Sequence, residues 1–338
     1  MARVLIVVVN YKTAALVEDG LVALSSEVGA SEHDLAAVVV DNASGDGSYE
    51  RLDAFVRAQG FSGWCAVCDA GRNGGFSAGN NAAIAPALAS DAPPDFVLLL
   101  NPDARVLPGA IDELVAFLER TPSAGLAGSQ LRHPNGDLQA STFRFPTLWS
   151  EIDNGLCFGP ITKLLSRWRT LAPLTAEPSR TGWVAGACLM IRREVFESIG
   201  AMDEGFFLYY EETDFCRRAA DAGFECWYVP GSHVVHLVGQ STGVTNAADA
   251  NRRRPAYWYA SRRRYLRRHH GALGALAIDA AHAVCFALWR ARRVVQRKPD
   301  PAPANYLSDL VRYSMLGGAR DPREDEAKGS SSDARRAA

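Results

Sequence analysis

The sequence predicts an α/β fold built on a parallel, doubly wound sheet. Three observations carry that expectation: apolar runs of strand length at 3–9, 35–41 and 95–100, segments of helical spacing between them, and polar residues where the runs end. Continuous Val/Ile/Leu runs suit strands buried on both faces, and their alternation with helices suits a parallel sheet. Ligands in such sheets bind at the carboxyl ends of strands. Function is therefore expected at Asn10-Tyr11, Asp41-Asn42, Asn73-Gly74-Gly75 and Asn101-Pro102-Asp103.

In order along the chain, MARVLIVVVNY is too short an apolar stretch for a signal segment with its cleavage site and reads as the first strand. A helix is expected over 13–28, a strand ending at Asp41, a helix over 47–59 and a strand over 64–69. The turn AGRNGGFSAGNN leads into a helix over 78–89. After the strand at 95–100, a helix is expected over 108–120 with Pro108 in its first turn. Beyond about residue 128 the pattern changes. SQLRHPNGDLQASTFRFP reads as a hairpin turning at Asn135-Gly136, and residues 147–180 as irregular. A strand over 183–193 is followed by a helix stopped by Gly200, and a second helix starts near 211 and ends by Gly223. ECWYVPGSHVVHL reads as strand, turn and short strand. A basic belt (252–270), an apolar helix (271–289) and a Pro- and Ser-rich tail from 299, largely disordered, complete the chain.

The 338 residues are 48% hydrophobic and 22% charged, which excludes collagen-like, disulfide-scaffold and wholly disordered classes. The net charge of −2 hides a segregation. Residues 1–251 hold 17 Lys+Arg against 30 Asp+Glu, whereas residues 252–298 hold 13 against the single Asp279. Such asymmetry points to an anionic partner, membrane or nucleic acid. Seven cysteines, mostly in apolar runs, suit free thiols in a reducing compartment. Cys65 and Cys68 form a C-x-x-C without a second pair, so they read as strand residues rather than a zinc site.

Several groups have the chemistry for a phosphate-bearing substrate. Asn101 and Asp103 offer an amide and a carboxylate beyond a buried strand, and with His236 they have the donor types for a divalent ion with open positions. On spacing alone His236 reads equally as a packed histidine. The Asn73–Asn80 turn can bring backbone amides to phosphate or sugar oxygens, although it is neither G-x-G-x-x-G nor a P-loop. Asp41 can accept from a base or ribose, and Tyr11 can stack on a base. Glu211-Glu212-Thr213-Asp214 sets three carboxylates at a helix start, where the dipole favours them and where crowding can raise a pKa toward a base's range.

Taken together, VVVNY, VVVDNASGDGS, NGGFSAGNN, LLLNPDAR, WVAGACLMIRR and FFLYYEETDFCRRAADAGF resemble the ordered motifs of family 2 glycosyltransferases, in their bacterial rhamnosyltransferase-like branch. The resemblance covers about 1–240. It implies a GT-A fold with a mixed sheet, residues 1–128 forming the nucleotide-binding half and 129–245 the acceptor and catalytic half, with a basic helical extension over 246–298. It implies inverting transfer from a nucleotide sugar, with dTDP-rhamnose, a UDP-hexose and UDP-galactofuranose as donors to consider, to a glycan or polyprenyl-linked acceptor, assisted by Mg2+ or Mn2+. By motif, Tyr11, Asp41 and Asn42 would contact the nucleotide. Gly75 and Asn80 would line the donor pocket, and Gly186 and Ala187 would lie beside the sugar. Asp103 and His236 would hold the metal, with Asn101 standing where a carboxylate is common. Glu212 would be the base and Asp214 its fallback. Sugar nucleotidyltransferases expect a glycine-rich loop after strand one, and Asn10-Tyr11-Lys12-Thr13 has no glycine.

The belt combines Arg252–Arg254, Arg262–Arg264, Arg267 and Arg268 with Tyr257, Trp258, Tyr259 and Tyr265. This composition suits a lipid headgroup surface, and the alternative, a nucleic-acid-binding module, less well. Asp279 argues against spanning, since a central charge costs about 2.5–3.5 kcal/mol on insertion scales. A cytoplasmic enzyme peripheral on the inner membrane face is the expectation.

Overall fold

The structure, a computed structural model, describes residues 1–237 and 253–318. These divide into two compact units. The first contains the described residues of 1–143, 171–204 and 212–237, and the second those of 144–170, 205–211 and 253–318. Residues 144–170 and 205–211 thus cluster with the C-terminal helices rather than with the 129–245 segment. The expected boundary at 245/246, Arg252 and the tail beyond 318 lie outside the described residues.

The first unit is a nine-stranded mixed sheet with helices. Its strands are β1 (Arg3–Asn10), β2 (Asp34–Asp41), β3 (Cys65–Asp69), β4 (Phe96–Leu100), β5 (Ala104–Val106), β6 (Ala124–Arg132), β8 (Ser179–Thr181), β10 (Cys188–Arg192) and β11 (Glu225–His236). The short strands β7 (Thr142–Phe143) and β9 (Trp183–Val184) pair separately. The order is β3-β2-β1-β4-β10-β6-β11-β5, with β8 on β11. The β3-β2-β1-β4 half is parallel, as the apolar runs predict. The other half is not: β10 enters antiparallel between β4 and β6. Ile6, Val39, Leu98 and Met190 are fully buried because both faces of these strands are covered.

Helices α1 (Ala14–Ala30), α2 (Ser48–Ala58), α3 (Gly75–Leu88) and α4 (Ala110–Arg120) follow strands in this unit. Helix α4 starts two residues after Pro108, at Ala110, because its cap comes from afar. The buried Glu27 of α1 accepts from the N–H of Gly109 (2.7 Å) and Ile111 (3.2 Å). The turn at Gly136 exists, but the expected hairpin is one bridge, Arg132 to Leu138. The expected strand, turn and strand near 225–236 is a single strand, β11, with a register shift between Val229 and His233 that accommodates Pro230. Residues 185–187 interrupt the expected 183–193 strand, and α7 (Arg193–Ile199) ends at Gly200 as expected.

The second unit is helical. Residues 147–180, expected to be irregular, contain α5 (Leu148–Leu156) and α6 (Gly159–Leu164). A capping box joins Thr147 and Ser150 at the start of α5, with serine where the usual signature has Glu or Gln. Helix α8 (Glu211–Asp221) belongs to the first unit after its first residue. Helix α9 (Ala256–Val295) unites the basic belt and the apolar helix, broken only at Gly271 (φ 69°). The start of the tail is ordered: α10 (Tyr306–Asp309) continues into a π-helical turn, Leu310–Met315. Asp309 accepts two bonds of 2.7 Å from Arg253, and Tyr306 and Leu310 are buried. The belt's aromatics pack inward: Tyr259 and Tyr265 are fully buried, Tyr257 and Trp258 half-buried. Tyr259 and Tyr265 are core residues of this unit, and Trp258 packs against Tyr259.

A buried ionic cluster closes the second unit. Arg262 lies 2.9 Å from both Glu151 Oε2 and Asp279 Oδ1. His282 Nδ1 is 3.1 Å from Glu151 Oε2, Tyr306 Oη is 3.0 Å from His282 Nε2, and Ser314 donates to Asp279 Oδ2 at 2.6 Å. Burial pushes the Glu151 carboxyl up, but Arg262 and His282 outweigh it and bring it down to about 2.

Candidate active site

Strand ends gather the polar tips. Parallel pairing aligns Asn10 with Asp41, and Val8 with Leu100, so the tips of β2, β1 and β4 lie side by side. Asn10 is fully buried, and its Nδ2 donates to Asp41 Oδ1 (2.7 Å) and Ser44 Oγ (3.2 Å). Ser44 donates to Asp41 from Oγ (2.6 Å) and N (3.0 Å), and its Oγ accepts from Lys12 N (2.9 Å). Asn10 Oδ1 receives the N–H and the hydroxyl of Thr13. Asp41 therefore works first as the keystone of the turn that presents Tyr11, which is half-buried under the Lys12 ammonium at 5.1 Å. The sequence marks Asn10 as a polar tip ending an unbroken apolar run, but not its bond to Asp41.

Asn42 ties the end of β2 to the glycine-rich turn. Its Nδ2 donates to Asn73 Oδ1 (3.0 Å) and to the carbonyl of Gly75 (3.1 Å). Gly75 has φ +82°, a conformation that side chains rarely adopt, and it opens α3 three residues before the expected start. A Cβ on Gly79 would lie 2.6 Å from Val9 Cγ1, so this glycine lets α3 pack on β1. Asn80 is fully buried; its Nδ2 donates to Phe76 O (2.9 Å) while its Oδ1 has no partner, and neither has the buried Ser77 Oγ.

Beyond β4, the backbone N–H of Asn101 donates to Ala187 O (3.0 Å), joining this tip to the 185–187 interruption. Asp103 is buried, its Oδ1 has no hydrogen-bond partner, and it lies 3.3 Å from His236 Nε2. Antiparallel pairing of β5 with β11 sets Ala104 opposite His236 and so brings the two together. Gln139 orients the histidine: its Nε2 donates to the His236 carbonyl (2.5 Å) and its Oε1 lies 3.0 Å from Nδ1. This contact at Nδ1 leaves the ring's Nε2 facing Asp103. Gln139 carried no sequence signal.

Glu212 stands against Gly186, where an added Cβ would lie 3.8 Å from its Cβ, Cδ and Oε1. The residue is half-buried, but its Oε2 is out of solvent with no hydrogen-bond partner. Burial pushes its carboxyl above the usual range, and hydrogen bonds from backbone N–H groups of Glu212, Gly186 and Thr213 only partly oppose this. Tyr209 and Tyr210 precede α8 with φ of 69° and 68°, a costly turn for aromatic residues that delivers Glu211 and Glu212 to the helix start. Asp214 is different: it is fully buried and accepts from Arg218 Nε at 2.9 Å, while Arg218 also donates to the carbonyls of Ile199 and Ala201. This pair ties Asp214 to Arg218 one turn further along α8.

Buried polar atoms without partners are rare in folded proteins. Here Ser77, Asn80, Asp103 and Glu212 each carry one, all near the expected donor and catalytic positions. The mixed α/β sheet with polar strand tips is the GT-A architecture. Among solved structures it is similar to the Pyrobaculum calidifontis mannosyltransferase in complex with GDP-Man and Mn2+, with a TM-score of 0.55 and 14% identity over 97% of this chain and 83% of that one. It is also similar to GalNAc-T7 with UDP, GalNAc and Mn2+, with a TM-score of 0.57 and 15% identity over 94% and 59%.

The chain belongs to glycosyltransferase family 2: the family described as "Glycosyltransferase like family 2" matches residues 2–271. It is 32% identical over 250 residues to the N-acetylglucosaminyl-diphospho-decaprenol L-rhamnosyltransferase of Mycobacterium tuberculosis, covering 70% of this chain and 77% of that protein. It is 29% identical over 170 residues to the rhamnosyltransferase WbbL of Escherichia coli K12, covering 48% and 60%. The chain is a glycosyltransferase, and its relatives include rhamnosyltransferases.

Proposed function

We propose that the protein transfers L-rhamnose, with inversion, from a nucleoside diphosphate (dTDP-L-rhamnose) to a hydroxyl of a polyprenyl-diphosphate-linked sugar in surface-polysaccharide assembly at the cytoplasmic face of the membrane. The observation that carries the reading is Glu212, a carboxylate beside Gly186 with an unpartnered oxygen and a raised pKa. The names of the Mycobacterium relative and of the dTDP-rhamnosyl transferase RfbF of Shigella flexneri, 31% identical over 65 residues, support the donor.

In this reading Tyr11 and the Asp41 turn hold the nucleotide, while Gly75 and Asn80 shape the donor pocket. Asn80 Oδ1 and Ser77 Oγ are polar atoms awaiting a ligand. Glu212 takes the proton from the acceptor hydroxyl, and that oxygen attacks the anomeric carbon on the face opposite the diphosphate. The C–O bond to the diphosphate breaks as the new one forms, so no enzyme nucleophile is needed.

The residues present fit a divalent cation. The orphaned Asp103 oxygen and the Nε2 of His236 lie 3.3 Å apart, side chains of the types that ligate Mg2+ or Mn2+. Among the described residues no group of three His, Cys, Asp or Glu could hold a metal ion, so ligand oxygens would have to complete the site. Such an ion would neutralise charge on the departing diphosphate. Asn101, without a charge, would contribute at most its carbonyl-type oxygen.

The test is a donor screen. The full chain should release dTDP from dTDP-L-rhamnose in the presence of a polyprenyl-diphospho-N-acetylglucosamine and form a disaccharide lipid. Release from a UDP-hexose alone, with none from dTDP-rhamnose, would overturn the donor assignment.

A further inference from the structure

We propose that the outward face of the second half of α9 docks on an anionic lipid bilayer, with the helix lying in the plane of the headgroups. After the break at Gly271, the residues Ala275, Ile278, Asp279, His282, Phe286 and Trp289 are buried at three- and four-residue spacing, which seats the helix within its own unit. The opposite face is apolar too. Leu273, Leu276, Val284, Leu288, Val294 and Val295 recur along it, exposed by 85%, 47%, 61%, 58%, 76% and 83%. A helix on the surface of a soluble protein normally turns polar residues outward, and a contiguous exposed apolar stripe marks an interaction face. This one runs about 33 Å at 1.5 Å per residue.

Charge identifies the partner. Between 271 and 289 the acidic and basic side chains are Asp279 and His282, and both point inward to Arg262 and Glu151. Cations bracket the stripe at both ends. Before it, a cavity of about 480 Å³ is lined by Ala260, Arg263, Arg264, Arg267, Arg268 and Tyr313. Arg290 (paired with Asp300), Arg292 and Arg293 lie in the last turns of the stripe, and Arg297 and Lys298 follow it. An apolar face with basic ends complements acyl chains and anionic headgroups together. A second copy of the chain fits poorly, because either parallel or antiparallel pairing of α9 sets arginines against arginines. Spanning fits poorly too. The helix is long and apolar enough to cross a membrane, but crossing would pull Asp279 away from Arg262 and into hydrocarbon. The surface lies on the outer side of α9, not on the buried aromatics of the belt.

The experiment is flotation of the full chain, without any sugar substrate, on phosphatidylglycerol-containing vesicles and on pure phosphatidylcholine vesicles. Binding is expected on the anionic vesicles, weaker at high salt and released by alkaline carbonate. The double variant Leu273→Glu/Leu288→Glu should lose at least about tenfold in partitioning, because it puts two charges in the acyl boundary. Its melting temperature should stay that of the parent, since both side chains are exposed. Four results would overturn the proposal: no flotation on anionic vesicles at low salt, equal flotation of the variant, resistance to carbonate, or a dimer in sedimentation that the same variant abolishes without any lipid binding. None of these readouts depends on the donor or acceptor proposed above.

Discussion

Replacing Glu212 with glutamine keeps the volume beside Gly186 and removes one ionisable group. Oε2 has no protein partner, so an amide nitrogen can take its place without breaking a bond, while the amide oxygen keeps the backbone N–H groups. Loss of a general base lowers turnover by about 10²–10⁴, or about 3–5 kcal/mol in the barrier. Donor affinity should change little, because the nucleotide contacts proposed above are at the tips of β1 and β2. The raised pKa adds two checks. Wild-type kcat/KM should fall on the acid side through a pKa above the usual 4.5, and the variant's residual rate should lack that limb. Stability runs the other way: a carboxyl with a raised folded-state pKa binds more protons folded than unfolded, so wild-type stability declines as pH rises from 4.5 through that pKa. Glu212→Gln should therefore be at least as stable as wild type at neutral pH. Turnover would be measured by nucleoside-diphosphate release, donor affinity by titration and stability by thermal melts. A variant that turns over within about threefold of wild type, or keeps the acid limb, would refute Glu212 as the base.

Two further outcomes follow from the geometry. Asp103→Ala should abolish the thermal shift that Mn2+ gives the protein and remove most transfer, whereas a full Mn2+ shift in that variant would exclude Asp103 as a ligand. Arg262→Met should destabilise the protein by about 3–5 kcal/mol, because it leaves Glu151 and Asp279 buried without their cation, as denaturant titration would show. The Glu151 contribution is present above the usual 4.5 and is lost as pH falls toward about 2, so circular dichroism should follow unfolding of the helices in that window. An unchanged denaturation midpoint in Arg262→Met would show that the cluster contributes nothing.

The parallel half of the sheet was readable from local pattern. A strand covered on both faces must be apolar at nearly every position, so β1, β2 and β4 announce themselves as runs and their polar ends as candidate site residues. The ordered motifs extended this to Asp103, Gly186, Glu212 and His236, whose spacing alone left capping and packing as rivals. Strand β5, only three residues long, has too little pattern to be seen. Helix α4 was misplaced because its N-terminal cap, Glu27, lies 82 residues before Gly109. Asp214 and Glu212 look alike in sequence, and only the structure distinguishes them, giving one an arginine partner and leaving the other an unpartnered oxygen.

The basic belt shows the same division. Composition told that arginines and aromatics would crowd together between 252 and 270, and that Asp279 would interrupt an apolar helix. It did not tell that the aromatics face inward, that Asp279 neutralises Arg262, or that the outer face of α9 after Gly271 is the exposed one. Periodicity records how a segment is divided between faces, because burial of each face acts on residues near in sequence. Which face meets protein, and which charge meets which, depends on segments more than a hundred residues apart, as with Glu151 and Arg262, and such contacts leave no local trace.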